Sequence, residues 1–255
     1  QGRFADSLHE YTVWHDRGKY MNDMLGKNIL VVGASGVLGA AITQLLLSRG
    51  AQVMATTSSN DRAGAIPSGA SPRLLLDLAN PTSVEVMVTY LSQSEAQIDG
   101  VVNAAGLVAF GGAADVSAET IARLTSVNLT GPMTLISGII PNLRKSAARG
   151  STPFIVNISG VVAESPMANM SAYSATKAGL WAFDQALSRE LRKDGIRVID
   201  ARPGHTETGL ASRAIAGIAP NFPTGMSAEF VASRIVAAIV DGESDLPSTA
   251  FSQKS

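Results

Sequence analysis

Apolar and polar positions follow two distinct patterns along the chain from Lys27 onward. Short, nearly continuous runs of aliphatic and β-branched residues predict strands buried on both faces, and the longer segments between them repeat apolar residues at helical spacing. We predict strands over residues 28–32, 52–56, 73–76, 100–103, 154–158 and 197–201, with a short last strand near residues 248–251. This alternation favours an α/β fold: a single-domain, Rossmann-like doubly wound parallel sheet of about seven strands, with helices on both faces.

Two parts of the chain do not follow this alternation. Residues 1–25 hold four of the 13 aromatic residues and two of the three histidines, and are predicted to form an N-terminal extension to a single folded domain over residues 26–255. The extension is either an arm that packs on its own subunit or on a neighbour, or an aromatic lid over a ligand site. Residues 209–227, rich in Ala, Gly, Pro and Ile, are either a mobile loop or a short pair of buried helices.

Composition narrows the classes of function. A hydrophobic content of 45% over 255 residues is ample for a large core. The net charge of -1 leaves no broad basic surface for a phosphate backbone, so we expect no nucleic-acid partner. Without cysteine there is no disulfide framework or thiolate nucleophile, and we expect no metal site. No apolar run reaches the roughly 20 residues that span a bilayer, so we expect no membrane segment and a cytoplasmic location.

Three glycines lie between the first predicted strand and the helix that follows it, within residues 33–39. Gly33 permits a tight turn, Gly36 permits a close approach of the backbone to a pyrophosphate, and Gly39 permits tight packing of the helix on the strand. The N–H groups and the dipole at the start of a helix favour an anion. Because this turn belongs to the first strand–helix unit, it predicts a dinucleotide site.

The end of the second predicted strand bears on the choice of dinucleotide. An acidic residue here would bind the ribose hydroxyls and repel a 2′-phosphate, but the chain has hydroxyl side chains over residues 56–59, with Arg62 nearby. We therefore predict NADP(H) rather than NAD(H), with Thr57 and Ser58 at the phosphate. The alternative is that these are only turn-forming polar residues. Asp77, after the third strand, either caps the next turn or contacts the adenine.

Four side chains form a candidate catalytic group. Ser159 follows the fifth strand, Tyr173 comes 14 residues later, and Lys177 lies a further four residues on, about one helical turn. A phenol has a pKa near 10, and a neighbouring ammonium lowers that pKa towards the useful range for acid–base catalysis. Ser159 is expected to hydrogen-bond a carbonyl or alkoxide oxygen of the substrate. Asn128, after a helix that ends near Val127, is expected to anchor a water that passes protons from Lys177 to solvent.

In this order, the motifs resemble those of the short-chain dehydrogenase/reductase family in its compact single-domain branch. Matching segments run across residues 25–210, among them 103–106, 173–177 and 202–204. The resemblance implies a dinucleotide-binding and catalytic domain with a tetrad of Asn128, Ser159, Tyr173 and Lys177, in which Tyr173 is the acid–base and Lys177 also holds the nicotinamide ribose. The predicted cofactor residues are Gly33, Ser35, Gly36, Val37, Leu38, Thr57, Ser58, Asp77, Leu78, Asn103, Ala104, Ala105, Gly106, Tyr173, Lys177, Pro203, Gly204, Thr206 and Thr208.

The expected activity is reversible hydride transfer between NADP(H) and a small-molecule carbonyl or secondary alcohol. The resemblance also implies a homodimer or homotetramer, joined through helices near residues 118–124 and 173–192. Two positions depart from the compact branch: the Gly-x-x-Gly-x-x-Gly spacing is more typical of longer epimerase-like members, which predicts a slightly altered pyrophosphate loop, and Ala104 stands where many relatives have Asn. The alternatives are a non-turnover NADP(H)-binding sensor and an epimerase-like enzyme that retains its cofactor.

Further positions near the candidate group bear on the substrate. Val161, Val162 and Met167 are expected to line the substrate pocket, which suggests an apolar substrate body. His205 either touches the substrate or nicotinamide, or faces solvent on its loop. Trp181 is expected to pack between helices or subunits.

Overall fold

Parallel strands form the centre of the molecule in the computed structural model, which describes residues 23–94 and 97–252. The strands are β1 (Asn28–Val32), β2 (Gln52–Thr57), β3 (Arg73–Leu75), β4 (Gly100–Asn103), β5 (Phe154–Ile158), β6 (Arg197–Ala201), β7 (Thr206–Glu207), β8 (Met226–Ser227) and β9 (Asp245–Leu246). Seven of them form one sheet in the order β3-β2-β1-β4-β5-β6-β9, while β7 and β8 form a separate pair. The strand order reverses between β1 and β4, which is where such sheets bind ligands.

Helices cover both faces of this sheet. They are α1 (Val37–Ser48), α2 (Pro81–Gln93), α3 (Ala118–Thr125), α4 (Gly131–Ala148), α5 (Ser171–Leu191) and α6 (Ala228–Asp241). Successive strand residues point to opposite faces, so Val31 packs in the core under α1 and α6, whereas Leu30 packs in the core under α2, α4 and α5. The predicted doubly wound α/β fold with seven strands is therefore confirmed.

The first six predicted strands agree with the structure to within one residue at each end, but the predicted last strand is wrong. Residues 248–251 form a 3₁₀ turn, and the seventh strand, β9, lies earlier in the chain. Pro247 has no N–H for a strand ladder and directly follows β9. Ser248 then bonds elsewhere, because its N–H and its hydroxyl donate to the carboxylate of Glu164 at 3.3 and 2.6 Å.

The helix predicted to end near Val127 does not end there. Residues Ser126–Thr130 form a single π-helical turn that joins α3 directly to α4. Pro132 has no N–H to donate to the carbonyl of Asn128, its α-helical partner four residues earlier, so regular α-helical bonding is interrupted at this point. Asn128 consequently lies inside a helix, with only 1% of its surface exposed.

Residues 209–227 do not form the pair of buried helices that was one of two predictions. They contain a 3₁₀ turn at Ala211–Arg213 and strand β8, and are otherwise irregular. Two backbone hydrogen bonds of 2.9 Å, from Phe110 to Ala216 and from Ile215 to Val108, tie this segment to the chain that follows β4. The segment therefore forms part of the wall at the carboxyl edge of the sheet.

Residues 1–22 lie outside the described residues, so both interpretations of the N-terminal extension, and the domain boundary after residue 25, stay predictions. The homodimer or homotetramer also stays a prediction. Within residues 23–94 and 97–252, no helix is long and apolar enough to cross a membrane.

Candidate active site

A cavity of about 920 Å³ opens at the reversal in strand order. Its wall includes the glycine-rich turn after β1, the candidate catalytic residues of α5 and an apolar group of side chains from three loops. Most of the predicted cofactor residues line this cavity, namely Gly33, Ser35, Gly36, Val37, Leu38, Ser58, Asp77, Leu78, Ala104, Ala105, Gly106, Tyr173, Lys177, Pro203, Gly204, Thr206 and Thr208. The other two predicted cofactor residues, Thr57 and Asn103, do not line it.

The glycine-rich turn has no room for side chains at its first and last glycines. Gly33 has a positive φ of 78°, and a Cβ on it would lie 2.9 Å from the backbone of Ala105. A Cβ on Gly39 would lie only 2.2 Å from the carbonyl oxygen of Gly33. Gly36 is the N-cap residue of α1, and no side chain caps the first N–H groups of this helix. Such a turn is suited to hold a phosphate group.

The side chains after β2 divide between the cavity and the protein interior. Ser58 and Arg62 line the cavity, and both are exposed. Thr57 is 2% exposed, and its hydroxyl bonds the Ser35 hydroxyl at 2.9 Å and donates to the carbonyl of Ser59 at 3.0 Å. The prediction that Thr57 contacts the cofactor is therefore corrected: its hydroxyl holds the two loops together.

Asp77 and Asn103 shape the turns after β3 and β4. The Asp77 carboxylate accepts a hydrogen bond from the N–H of Ala79 at 2.9 Å, so its capping role is confirmed, while its contact with adenine stays a prediction. Asn103 is 3% exposed; its amide donates to Asn157 at 3.0 Å and accepts from the N–H of Ala105 at 3.3 Å. Asn103 therefore fixes the turn that lines the cavity rather than lining it.

Tyr173 and Lys177 lie one turn apart on α5, with Lys177 Nζ 5.9 Å from the centre of the Tyr173 ring. Nζ donates to the carbonyl of Ile158 at 2.8 Å. Burial lowers the pKa of Lys177 to about 8, and the charge of Asp200 opposes that shift. Burial raises the pKa of Tyr173 to about 12, so the net shift in the free protein is upward and not the lowering that was predicted. The Tyr173 hydroxyl has no hydrogen-bond partner among the described residues.

Asn128 lies behind the cavity wall. Its side-chain oxygen accepts from the N–H of Leu107 at 2.8 Å, and its side-chain nitrogen donates to the Leu107 carbonyl at 2.9 Å and to the Thr176 hydroxyl at 3.2 Å. These bonds join the π-helical turn to the loop after β4 and to α5. The expected part of Asn128 in proton transfer stays a prediction.

Ser159 lies at the cavity wall, but its hydroxyl is used inside the protein. The hydroxyl donates to Asp200 Oδ1 at 2.7 Å, and the residue has no exposed surface. Asp200 lies on β6, so this bond joins the loop after β5 to the neighbouring strand. The expected contact of the Ser159 hydroxyl with the substrate oxygen requires this donor to turn from Asp200 towards the cavity, and that contact stays a prediction.

The apolar part of the cavity draws on more residues than the sequence indicated. Val161, Val162 and Met167 line it as predicted. A cluster of apolar side chains from the segments after β4, β5 and β6 lies there too; its further members that line the cavity are Val108, Phe110, Met170, Leu210, Ala211 and Phe222. These were missed because they lie in irregular segments, where neither strand nor helix periodicity indicates burial; aromatic residues outside the periodic segments were the available signal.

His205 and Trp181 have defined surroundings. His205 lines the cavity, stacks on Phe222 with ring centres 4.8 Å apart, and has Nε2 3.4 Å from the carboxylate of Glu207. Of its two predicted environments, the structure therefore supports the cavity. Trp181 lies under the guanidinium of Arg202, 5.0 Å from the ring centre, which agrees with the predicted packing role.

Comparison with known proteins identifies the family. The family model described as short chain dehydrogenase matches residues 27–218. The chain belongs to the short-chain dehydrogenase family. It is 32% identical over 208 residues to the 3-oxoacyl-(acyl-carrier-protein) reductase of Escherichia coli strain K12, covering 78% of this chain and 83% of that protein.

Solved structures agree with this assignment. A short-chain dehydrogenase from Sphingobium yanoikuyae in complex with NADPH superposes with a TM-score of 0.76 at 27% identity, covering 87% of each chain. A 3-ketoacyl-(acyl-carrier-protein) reductase from Brucella melitensis complexed with NADH has a TM-score of 0.76 at 22% identity, covering 90% of this chain and 100% of that one, and shows the fold alone.

This short-chain dehydrogenase is an NAD(P)-dependent oxidoreductase that acts on CH–OH or carbonyl groups. Its own residues fit such a cofactor. The turn after β1 is too tight for a Cβ at Gly33 or Gly39, and no side chain caps the first N–H groups of α1. The cavity beside this turn extends to Tyr173 and Lys177. When bound, the dinucleotide supplies or takes up the hydride. The protein has to hold it, orient the substrate and move the proton.

Proposed function

We propose that this protein reduces a carbonyl on a substrate with an apolar body to a secondary alcohol, uses NADPH, and protonates the product oxygen from Tyr173. The observation that carries the proposal is the unpartnered Tyr173 hydroxyl, which shares one cavity with Lys177 and the glycine-rich turn. A phenol with a free hydroxyl both donates a hydrogen bond to a carbonyl oxygen and supplies the proton that the oxygen needs. The same site runs in reverse as an alcohol dehydrogenase.

The protonation states of the two α5 residues support the direction of reduction. With its pKa raised to about 12, Tyr173 is a neutral phenol at neutral pH, which is the proton-donating form. With its pKa lowered only to about 8, Lys177 remains mostly an ammonium at pH 7, and its positive charge favours the phenolate that forms when the proton leaves. One of its N–H bonds is used by the Ile158 carbonyl, so further donors remain for a ribose hydroxyl or a water.

The preference for NADPH rests on the side chains after β2. Ser58 and Arg62 line the cavity beside the glycine-rich turn, and a guanidinium pairs well with a phosphate. The Sphingobium yanoikuyae relative was solved with NADPH, which agrees with this preference. The apolar cluster around Phe110 and Phe222 supports an apolar substrate body, and the 3-oxoacyl substrate in the name of the Escherichia coli relative agrees with a carbonyl on an apolar chain.

The test combines binding and turnover in the purified protein. We expect calorimetric titration to show tighter binding of NADPH than of NADH, and apolar ketones and 3-oxoacyl esters to oxidise NADPH faster than small polar keto acids do. Tyr173→Phe should lower kcat by about 10²–10⁴-fold while NADPH affinity stays close to that of the wild type, because only the proton donor is lost.

Each contrary outcome has a distinct meaning. Unchanged turnover in Tyr173→Phe would remove Tyr173 as the proton donor. Binding of NADPH without turnover of any carbonyl would instead favour the non-turnover sensor. Tightly retained dinucleotide without net reduction would favour the epimerase-like enzyme.

A further inference from the structure

Two carboxyl groups are buried together behind the active site. Asp184 on α5 and Asp200 on β6 are each 2% exposed. Oδ1 of Asp184 accepts from the side-chain amide of Asn157 at 2.7 Å, and Oδ1 of Asp200 accepts from the Ser159 hydroxyl at 2.7 Å and from Arg202 at 2.6 Å. Oδ2 of both residues is buried and has no donor. Asn157, which binds Asp184, lies opposite Asp200 in the register of β5 and β6, so the two carboxyl groups are neighbours, and each affects the pKa of the other.

These unpartnered oxygens point to a proton between the two groups. Ionised carboxylates only accept hydrogen bonds, so two of them side by side cannot bond each other. Both Oδ2 atoms would then lack a donor, and the two negative charges would repel each other. A single proton changes this, because one Oδ2 then donates to the other. Burial, followed by the charge of Asp200, raises the pKa of Asp184 well above that of an ordinary aspartate, and burial also raises the pKa of Asp200.

The charges around the pair decide which partner stays ionised. The Arg202 guanidinium contacts Asp200 directly and also binds Glu164 and Asp245, whereas Asp184 has only a neutral amide partner. Asp200 is therefore the better place for the negative charge, and Asp184 the better place for the proton.

Lys177 is the catalytic group that experiences this charge. Tyr173 is its neighbour on α5, with Lys177 Nζ 5.9 Å from the centre of the Tyr173 ring, and Asp200 on β6 acts on it through its charge. Asp200 is in turn paired with Arg202, which also binds Glu164 and Asp245. Among them, the charge of Asp200 is the one that opposes the effect of burial on the pKa of Lys177.

We propose that Asp184 and Asp200 share one proton at neutral pH, and that the remaining charge on Asp200 makes it a positioning residue that keeps Lys177 protonated. The second half of this statement rests on the function proposed above; the first half does not. The pair does not line the cavity; Asp200 reaches it through its charge on Lys177 and through the Ser159 hydroxyl that it binds.

Two isosteric variants separate charge from shape. Asp184→Asn replaces a neutral acid with a neutral amide whose N–H₂ can donate to Asp200, so we expect the pH profile of kcat to stay within about 0.3 units of the wild type. Asp200→Asn removes the negative charge, so Lys177 should lose its proton more easily. We expect the alkaline limb of the profile to move down by about one pH unit or more. A merely structural role would lower kcat at every pH without moving this limb.

An infrared spectrum tests the shared proton without relying on activity. We expect the wild type at neutral pH to show the C=O stretch of a protonated, buried carboxylic acid, and Asp184→Asn to lack it. Absence of this band in the folded wild type would overturn the shared proton. The infrared test uses only the wild type and Asp184→Asn, so it can be made even if Asp200→Asn does not fold.

The failures are distinguishable. If the band is present but Asp184→Asn and Asp200→Asn shift the alkaline limb equally, the assignment of the charge to Asp200 is overturned while the shared proton stands. If wild-type protein binds NADPH but reduces no carbonyl, the proposed function fails and so does the positioning role, whereas the infrared result is unaffected.

Discussion

At the scale of single residues, hydrogen-bond partners decide which polar side chains serve the cavity. Ser159, Thr57 and Asn103 all lie at carboxyl ends of strands, yet their polar atoms bind Asp200, Ser35 and Asn157. Tyr173 is different, because its hydroxyl has no partner among the described residues. A polar atom already satisfied inside the protein gains little from a ligand and costs the protein its internal bond when it turns away.

Ser159→Ala tests this distinction. We expect the variant to be destabilised by about 1–3 kcal/mol, because a buried carboxylate loses a donor, and kcat to fall by less than about tenfold. A hydroxyl that held the reacting oxygen would be worth roughly 10²–10³ in kcat. The measurements are urea unfolding and steady-state kinetics. A hundredfold loss of kcat with unchanged stability would instead mean that the Ser159 hydroxyl contacts the reacting oxygen.

Arg62 carries the expected preference for a 2′-phosphate. We expect Arg62→Ala to weaken NADPH binding about tenfold and to leave NADH binding unchanged, because only NADPH has the group that the guanidinium pairs with. Arg73→Ala is the matched control, since Arg73, the first residue of β3, is equally an exposed arginine but does not line the cavity. Equal weakening of both cofactors by Arg62→Ala, or by the control, would place the phosphate elsewhere.

At the scale of elements, periodicity predicted the strands and the glycine-rich turn because these depend on local patterns. Fully apolar runs such as Ile29–Val32 are typical of strands buried on both faces, and the three glycines mark a turn whose geometry excludes a Cβ. The π-helical turn around Asn128 and the short strand β9 were not predicted. The π-helical turn depends on Pro132, and the end of β9 depends on Pro247 and on the bond from Ser248 to Glu164. That bond joins residues far apart in the chain, so no local sequence window contains it.

The same limit applies to the site. Spacing on α5 placed Tyr173 and Lys177 on one face, since four residues make one turn regardless of the rest of the fold. Their pKa values were not predictable in this way, because burial depends on the loops that close over them. The direction of the Ser159 hydroxyl was also out of reach, since it depends on Asp200, which is 41 residues away in the chain.

At the scale of the whole molecule, carboxyl groups near the two edges of the sheet have pKa values shifted in opposite directions. At the amino edge, burial alone would raise the pKa of Asp99, but hydrogen bonds from Ser151, the N–H of Asn28 and Gln97 outweigh it, so the pKa is lowered. Towards the carboxyl edge, Asp184 has too few donors and its pKa is raised. The amino edge therefore favours the ionised form of Asp99, and the carboxyl edge favours the protonated form of Asp184.

Linkage turns this contrast into opposite pH dependences of stability. Asp99 has a folded pKa below the unfolded value of 3.8, so its contribution is complete above that value and is lost as pH falls through the folded pKa. Asp184 has a folded pKa above 3.8, so folding takes up a proton between the two values, and wild-type stability declines there as pH rises.

Two asparagine variants should therefore diverge. The deficit of Asp99→Asn relative to the wild type should be constant from about pH 5 to pH 8 and should shrink in acid. Asp184→Asn needs no proton, so its stability relative to the wild type should rise with pH above about 4, by at most about 1.4 kcal/mol per pH unit, up to the folded pKa. Urea unfolding at intervals from pH 3 to pH 7.5, expressed as differences from the wild type, measures both. Parallel curves for Asp184→Asn and the wild type would mean that Asp184 folds as a carboxylate, because only a proton taken up on folding gives the difference a slope.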